Sequence, residues 1–486
     1  MSRATSFISA AAIVEIQLGE IKCSYIVQII KGMAGRMAYN AAYWLQTVKT
    51  GTLLAQNMAL HKRTMADMVS QRRRTPRVWA RPTRALMDEP FQLEVACLPP
   101  HCPVTLRSTL YSEGNDLWEA FSHYVSDERG RVNVSKDESL GGLYIGREPM
   151  GLLWSLRLAV GGRQNIRLRK KNIQTPLVVD ISLFDGHNTD NFNTQTALAM
   201  TTMERWYMAP GVRRIEVREN GVVGTLFIPP GPGPFPALLD VWGLAGFIEH
   251  RAALLASRGY ACLALAYINH PELQLGSGMG ISYFQESWKL LQSVPQVSAD
   301  RLGLLGSCFG AAIFILMASE LPDISPRCLV AINSPSGLLN PGEGNYLEKM
   351  QRLLPEPKLD ANGHLMIKDA ILAIGIDLER SLQASGIQCP VLLVVGEDDQ
   401  CVPALESAQR LEAQMRAVGK GHLVTKLSYP EAGHLIEPPY HPVMRSSTFI
   451  FPNQTATMLW GGVGKPHAAA QEDSWRKILE FLDKHL

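Results

Sequence analysis

The fold predicted is an antiparallel β-sandwich domain followed by an α/β layer, a mostly parallel sheet flanked by helices. Three observations carry that prediction. Residues 88 to about 202 are filled by short alternating runs bounded by Pro, Gly, Asn or Asp, as in strands with one wet face. Beyond about Arg213, nearly continuous apolar runs alternate with helical patterns, as in a sheet covered on both sides. The length of 486 residues also exceeds one ordinary domain.

Composition excludes several classes. Hydrophobic residues make up 46% and charged residues 19%, which rules out a disordered chain, a coiled coil and a collagen-like repeat. A net charge of +2 gives no support for nucleic acid as a partner. No apolar stretch approaches the ~20 residues of a transmembrane helix. The eight cysteines are scattered without a CxxC pair, so neither a zinc site nor a disulfide framework is signalled. Reduced thiols in an intracellular protein are the expectation.

The charge is uneven. Residues 1–87 hold thirteen Lys or Arg against Glu15, Glu20 and Asp67. Such an Arg-rich, acid-poor head suits a mitochondrial transit segment or an untargeted extension. The sandwich is placed at 88–205, on runs such as Phe91–Val95, Val104–Ser108 and Leu177–Leu183. The basic run Arg167, Arg169, Lys170, Lys171 within it reads as a solvated strand or turn.

The α/β domain is placed at 206–486. Val222–Ile228, Pro236–Trp242, Ala261–Ala266, Arg301–Gly306, Cys328–Asn333 and Val391–Val395 read as strands. Ala252, Leu255 and Ala256 lie on one helix face, and Tyr283–Leu291 and Ala311–Ser319 read as further helices. Ser334–Gln388 fits no such pattern and suggests a cap over the sheet.

The chemistry gathers at Gly306-Ser307-Cys308-Phe309-Gly310. This is the G-x-nucleophile-x-G form of a nucleophile elbow, with cysteine in the usual place of serine. A nucleophile at the apex of a strand-to-helix turn needs small neighbours, so that the turn closes without Cβ clashes. The helix that follows aims its N-terminus at the site and favours thiolate. A buried structural cysteine is the commoner fate of a lone Cys, but chain order argues otherwise. The apolar run ending at Val395 leads into Gly396-Glu-Asp-Asp399, and Tyr429-Pro-Glu-Ala-Gly-His434 follows. Nucleophile, acid, histidine is the order of an α/β hydrolase. Asp399 is the better-placed acid and Asp398 the fallback, while His101, His422, His467 and His485 lack the position of His434. Backbone N–H groups of Phe309 and Leu244 are the expected oxyanion hole. No metal or redox cofactor is required.

The elbow, Ala209–Arg218, Glu249–Tyr267, Leu140–Leu156, Tyr429–Tyr440 and Trp460–Leu486 resemble the type I acyl-CoA thioesterase and bile acid-CoA:amino acid N-acyltransferase family. The resemblance runs from about Asp88 to Leu486. It implies a β-sandwich before an α/β-hydrolase domain, and acyl-CoA substrates. Its nucleophile, acid and histidine fall on Cys308, Asp399 and His434. Cysteine as nucleophile looks like the N-acyltransferase branch, whereas Phe309 and Ala312 depart from the polar residues usual after the nucleophile. The expected activity is hydrolysis of fatty acyl-CoA through an acyl-enzyme on Cys308. The alternatives are conjugation of a bile acid or fatty acyl group to glycine or taurine, and a catalytically silent acyl-CoA-binding relative. The C-terminal Lys484-His485-Leu486 departs from a serine-headed peroxisomal tripeptide, so a mitochondrial or cytosolic location is expected.

Overall fold

The computed structural model describes residues 75–486 except 245, 269, 274–279, 336–357, 378–383 and 451–454, with the main chain alone at 374–377. The basic head as far as residue 74 and much of the suggested cap at Ser334–Gln388 lie outside the described residues.

The sandwich contains a six-stranded sheet in the order Arg84–Leu86, Ala199–Trp206, Leu177–Asp185, Pro103–Tyr111, Leu117–Val125, Arg157–Leu158. Its pairings are antiparallel except the first. A second sheet pairs Gln92–Ala96 with Arg77–Arg81 on one side and Val132–Asn133 on the other. Among the described residues sheet structure therefore starts at Arg77, ahead of the boundary at 88 drawn from sequence. In Arg77–Arg81 exposed arginines flank the buried Val78 and Ala80, so a basic composition concealed an ordinary half-buried strand.

The α/β layer has eight strands: β1 (Arg213–Glu219), β2 (Val222–Ile228), β3 (Phe235–Val241), β4 (Ala261–Leu265), β5 (Val297–Ser307), β6 (Cys328–Ile332), β7 (Val391–Gly396) and β8 (Val424–Tyr429). They lie in the order β1-β2-β4-β3-β5-β6-β7-β8. From β4 onward neighbours are parallel, while β2 runs antiparallel to both β1 and β4. The helices that matter below are α1 (His250–Ser257), α2 (Ile281–Ser293), α3 (Phe309–Glu320), α4 (Ala404–Ala417) and α5 (Gly464–His485).

Residue alternation divides the strands between two faces. Ala261, Leu263 and Leu265 of β4 pack with Phe284 of α2, Phe314 of α3 and Leu411 of α4. Cys262 and Ala264 face the other way, toward Leu254 of α1 and Leu482 of α5. That second core does not stop at the helices. It continues without a break to Leu93, Leu106 and Trp118 of the sandwich, and residues from Arg74 onward form one compact unit.

Polar ties cross the same boundary. The carboxylate of Asp88 accepts from the Trp475 indole N–H at 2.9 Å and from the Arg258 guanidinium at 2.9 Å. Tyr207, directly after the sandwich strand that ends at Trp206, and His441 are joined at 2.9 Å, and Val443 N–H donates to the Trp154 carbonyl at 2.9 Å. Among the described residues no helix is long and apolar enough to cross a membrane.

Candidate active site

Strand β5 ends at Ser307 and α3 begins at Phe309, so a single residue makes the turn. That residue, Cys308, has φ 55° and ψ −125°, a region that non-glycine residues seldom occupy and that costs of order 1–3 kcal/mol. The surroundings impose it. Cys308 N–H donates to the Ile332 carbonyl on β6 at 2.8 Å. A Cβ on Gly306 would lie 2.5 Å from Ala311 N, and one on Gly310 would lie 2.6 Å from the Val241 carbonyl. Both flanking glycines are thus required for the close approach, as the sequence spacing suggests. Cys308 is half-buried, unlike Cys262, Cys328, Cys389 and Cys401, which are buried.

A second loop closes over the sulfur. After β3, Gly243 approaches so tightly that a Cβ there would sit 2.7 Å from Cys308 Cβ and 3.1 Å from Sγ. Leu244 follows it along the wall of the same pocket, and Phe309 is the first residue of α3, where N–H groups look out along the helix axis. Behind this loop lies the buried Arg251 of α1, 1% exposed. It pairs with Asp240 at 2.6 Å, donates to Ser307 Oγ, and stacks 4.2 Å over the Trp242 ring. One guanidinium therefore ties the residue before Cys308 to the loop that covers it.

Asp399 and His434 meet at the ends of β7 and β8. Asp399 is 1% exposed. Its Oδ1 accepts from Cys401 N–H at 2.8 Å and Val402 N–H at 2.9 Å, leaving Oδ2 to face His434 Nδ1 at 2.7 Å. Burial alone would push the His434 imidazolium down. The Asp399 carboxylate outweighs it, and the pKa stands well above the usual histidine value. Trp460 fixes the ring from outside: it stacks at 5.7 Å between centroids, and its carbonyl accepts from His434 N–H at 2.8 Å. The fallback acid, Asp398, is committed elsewhere, accepting from Arg445 and from Gly462 N–H, each at 2.8 Å.

Cys308, His434 and Leu244 line one pocket, whose wall is otherwise mainly apolar. Two charges interrupt that wall. Arg167 of the sandwich and Glu437, three residues past His434, form an ion pair, with side chains only 8% and 10% exposed. Of the basic run read from sequence as a solvated strand or turn, only Lys171 is exposed. Lys170 is buried too, hydrogen-bonded to Glu113 and to Thr175 Oγ1 at 2.7 Å.

The chain matches two family models along much of its length. Residues 88–219 match the one described as Acyl-CoA thioester hydrolase/BAAT N-terminal region, and residues 279–486 the one described as BAAT / Acyl-CoA thioester hydrolase C terminal. The chain belongs to the acyl-CoA thioester hydrolase/BAAT family. It is 37% identical to the bile acid-CoA:amino acid N-acyltransferase of Homo sapiens, over 84% of this chain and 97% of that protein. It is 36% identical to acyl-coenzyme A thioesterase 2, mitochondrial, of Homo sapiens, over 83% of each. The peroxisomal succinyl-coenzyme A thioesterase of Mus musculus is 37% identical, over 83% of this chain and 95% of that protein.

In this family member, sequence reasoning missed five residues of the site. Arg167 and Glu437 reach the pocket from distant segments. Cys401 also lines it, but burial pushes its thiol up to about 11, which keeps it protonated near neutrality. Asn333 braces the histidine loop from β6, and His467 supports it as well, its Nδ1 accepting from Gly433 N–H at 2.9 Å. His250, Glu437 and His441 place potential metal-ligand atoms within 4.8 Å of one another. Glu437 is engaged by Arg167, and both His441 nitrogens are engaged, by Tyr207 and the Pro438 carbonyl. Their donor set suits an ion-pair hub better than a cation.

Proposed function

We propose that the chain is an acyl-CoA thioester hydrolase working through a Cys308–His434–Asp399 triad. The observation that carries this reading is the 2.7 Å Asp399–His434 contact beside a cysteine held at φ 55° on the strand-to-helix apex. His434 takes the Cys308 proton, and the thiolate attacks the thioester carbonyl. Negative charge on that oxygen is received by the Phe309 and Leu244 N–H groups and by the N-terminal end of α3. The tetrahedral species collapses, the C–S bond to coenzyme A breaks, and the imidazolium returns a proton to the departing thiolate. Water then attacks the acyl-enzyme, giving a proton to His434, and the free acid leaves. Asp399 holds the imidazole in the tautomer this needs. The cycle as written uses no metal or redox cofactor.

A second reading shares the first half-reaction and hands the acyl group to an amino acid. The sulfur nucleophile favours it, since a thioester is more reactive toward amines, relative to water, than an oxygen ester. The likeness to the bile acid-CoA:amino acid N-acyltransferase adds weight.

The test is coenzyme A release from a long-chain acyl-CoA by the purified chain, with Cys308→Ala as control. Release well above the control supports acyl transfer. Release equal to it leaves a protein that only binds acyl-CoA. A faster reaction with a simple aryl ester than with acyl-CoA would make it a general esterase.

A further inference from the structure

We infer that Arg167 and Glu437 together form the subsite for a zwitterionic acceptor, an amino acid or aminosulfonic acid whose amine takes the acyl group from Cys308. This rests on the acyl-transfer reading above and extends it to the second substrate.

The pair is out of keeping with its surroundings. The pocket is walled by Trp242, Leu435, Ile436, Phe449 and Met458, among others. Two charges set into such a wall with side chains nine-tenths buried are costly to desolvate, and apolar residues of similar volume often serve stability as well. Their placement is specific nonetheless. Glu437 shares a loop with His434, and Arg167, from the sandwich segment between Arg157–Leu158 and Leu177–Asp185, meets it there. The polar groups behind Glu437 are committed or uncharged. His441 is held by Tyr207 and Pro438, and burial keeps His250 neutral with its Nε2 unpartnered among the described residues.

A neutral ion pair best recognises a ligand of the same kind with its charges reversed. The planar Arg167 guanidinium matches a carboxylate or sulfonate in bidentate fashion. The Glu437 carboxylate matches the ammonium a few bonds away. Held so, the amine waits beside the acyl-enzyme at a high effective concentration, which is how it competes with water. For the transfer, the ammonium passes one proton to neutral His434 and its nitrogen attacks the thioester carbon. The C–S bond breaks, the Cys308 thiolate departs beside the imidazolium, and the second proton leaves the new amide nitrogen for solvent. The products are the amide and the resting enzyme.

The experiment gives the full chain a long-chain acyl-CoA with glycine, taurine or ethanolamine, and reads the ratio of conjugate to free acid by mass spectrometry. That ratio reports partitioning of one acyl-enzyme, so a fall in folded or acylated protein does not move it. Conjugates are expected with glycine or taurine, and at least tenfold less with ethanolamine, which lacks the anion. Arg167→Gln and Glu437→Gln are expected to lower the ratio at least tenfold, and Arg167→Lys to restore part of it. Free acid alone from wild type with continuing coenzyme A release overturns the subsite and leaves the hydrolase intact. So does an unchanged ratio in both variants. Should coenzyme A release not exceed that of Cys308→Ala, the acyl-transfer reading fails and takes the subsite with it. Arg167-dependent preference for an acyl chain ending in a carboxylate, without conjugate, would give the anion site to the acyl group and overturn the inference.

Discussion

Asn333 carries the loop of His434: its Nδ2 donates to the His434 carbonyl at 2.9 Å and to that of Gly433 at 3.2 Å, while its Oδ1 accepts from Gly396 N–H at 2.8 Å. One side chain at the end of β6 thus pins the end of β7 to the loop after β8. Its own φ of 46° suits asparagine better than most residues. Asn333→Ala strands three buried backbone groups, and we expect a loss of about 2–4 kcal/mol. Denaturant unfolding of the variant beside wild type measures it, and an unchanged midpoint would contradict the role.

Asp399→Asn keeps the shape of the site but removes the charge that holds the His434 imidazolium above its ordinary pKa. Acylation is expected to slow by roughly 10²–10⁴-fold. As the proposed base for Cys308, His434 would also shed its own proton at lower pH, so the acid limb of kcat/KM moves to lower pH. A pH–rate profile of the variant decides this, and a limb that stays in place would count against the Asp399–His434 coupling.

Gly243→Ala places a methyl group 2.7 Å from Cys308 Cβ. Either the loop or Cys308 must move, and displacement on that scale costs about 10²-fold in rate. We expect slow coenzyme A release from a protein with unaltered circular dichroism. Wild-type turnover would mean that the loop does not close over the sulfur as described.

Acid should loosen the pocket through Glu437. Burial would raise its pKa, but the Arg167 guanidinium chiefly holds it down to about 2. A carboxylate depressed from an ordinary value near 4.5 contributes stability that is complete above that value and disappears as the pH falls toward 2. The contribution is about 3 kcal/mol. Glu437→Gln is expected to flatten the pH dependence of stability between about pH 4.5 and 2, as read from urea midpoints across that window. An identical slope in the variant would place the acid sensitivity elsewhere.

The parts of this architecture that could be read in the chain are those written locally. The Gly306–Gly310 turn carries its own steric reason, and the apolar runs of β3 to β7 announce a sheet buried on both faces. Chain order alone then picked out Asp399 and His434, and the structure brings those two within hydrogen-bonding distance. What stayed hidden is what depends on distant segments meeting. Nothing around Arg167 hints at a partner 270 positions away, and an arginine in a basic run looks solvated until a carboxylate is found opposite. Asn333 looks like the polar end of a strand, and His467 like a residue of a terminal helix. Cys401 was closest to visible, two positions past Asp399, but a cysteine has no pattern that reports its neighbours.

The core shared by sandwich and hydrolase layers bears on how such proteins can be recombined. Asp88 is matched to Trp475 and Arg258, Tyr207 to His441, and Arg167 to Glu437. A chimera that grafts the front half of one relative onto the rear half of another must carry these couples over intact, or accept a seam that opens beside Cys308.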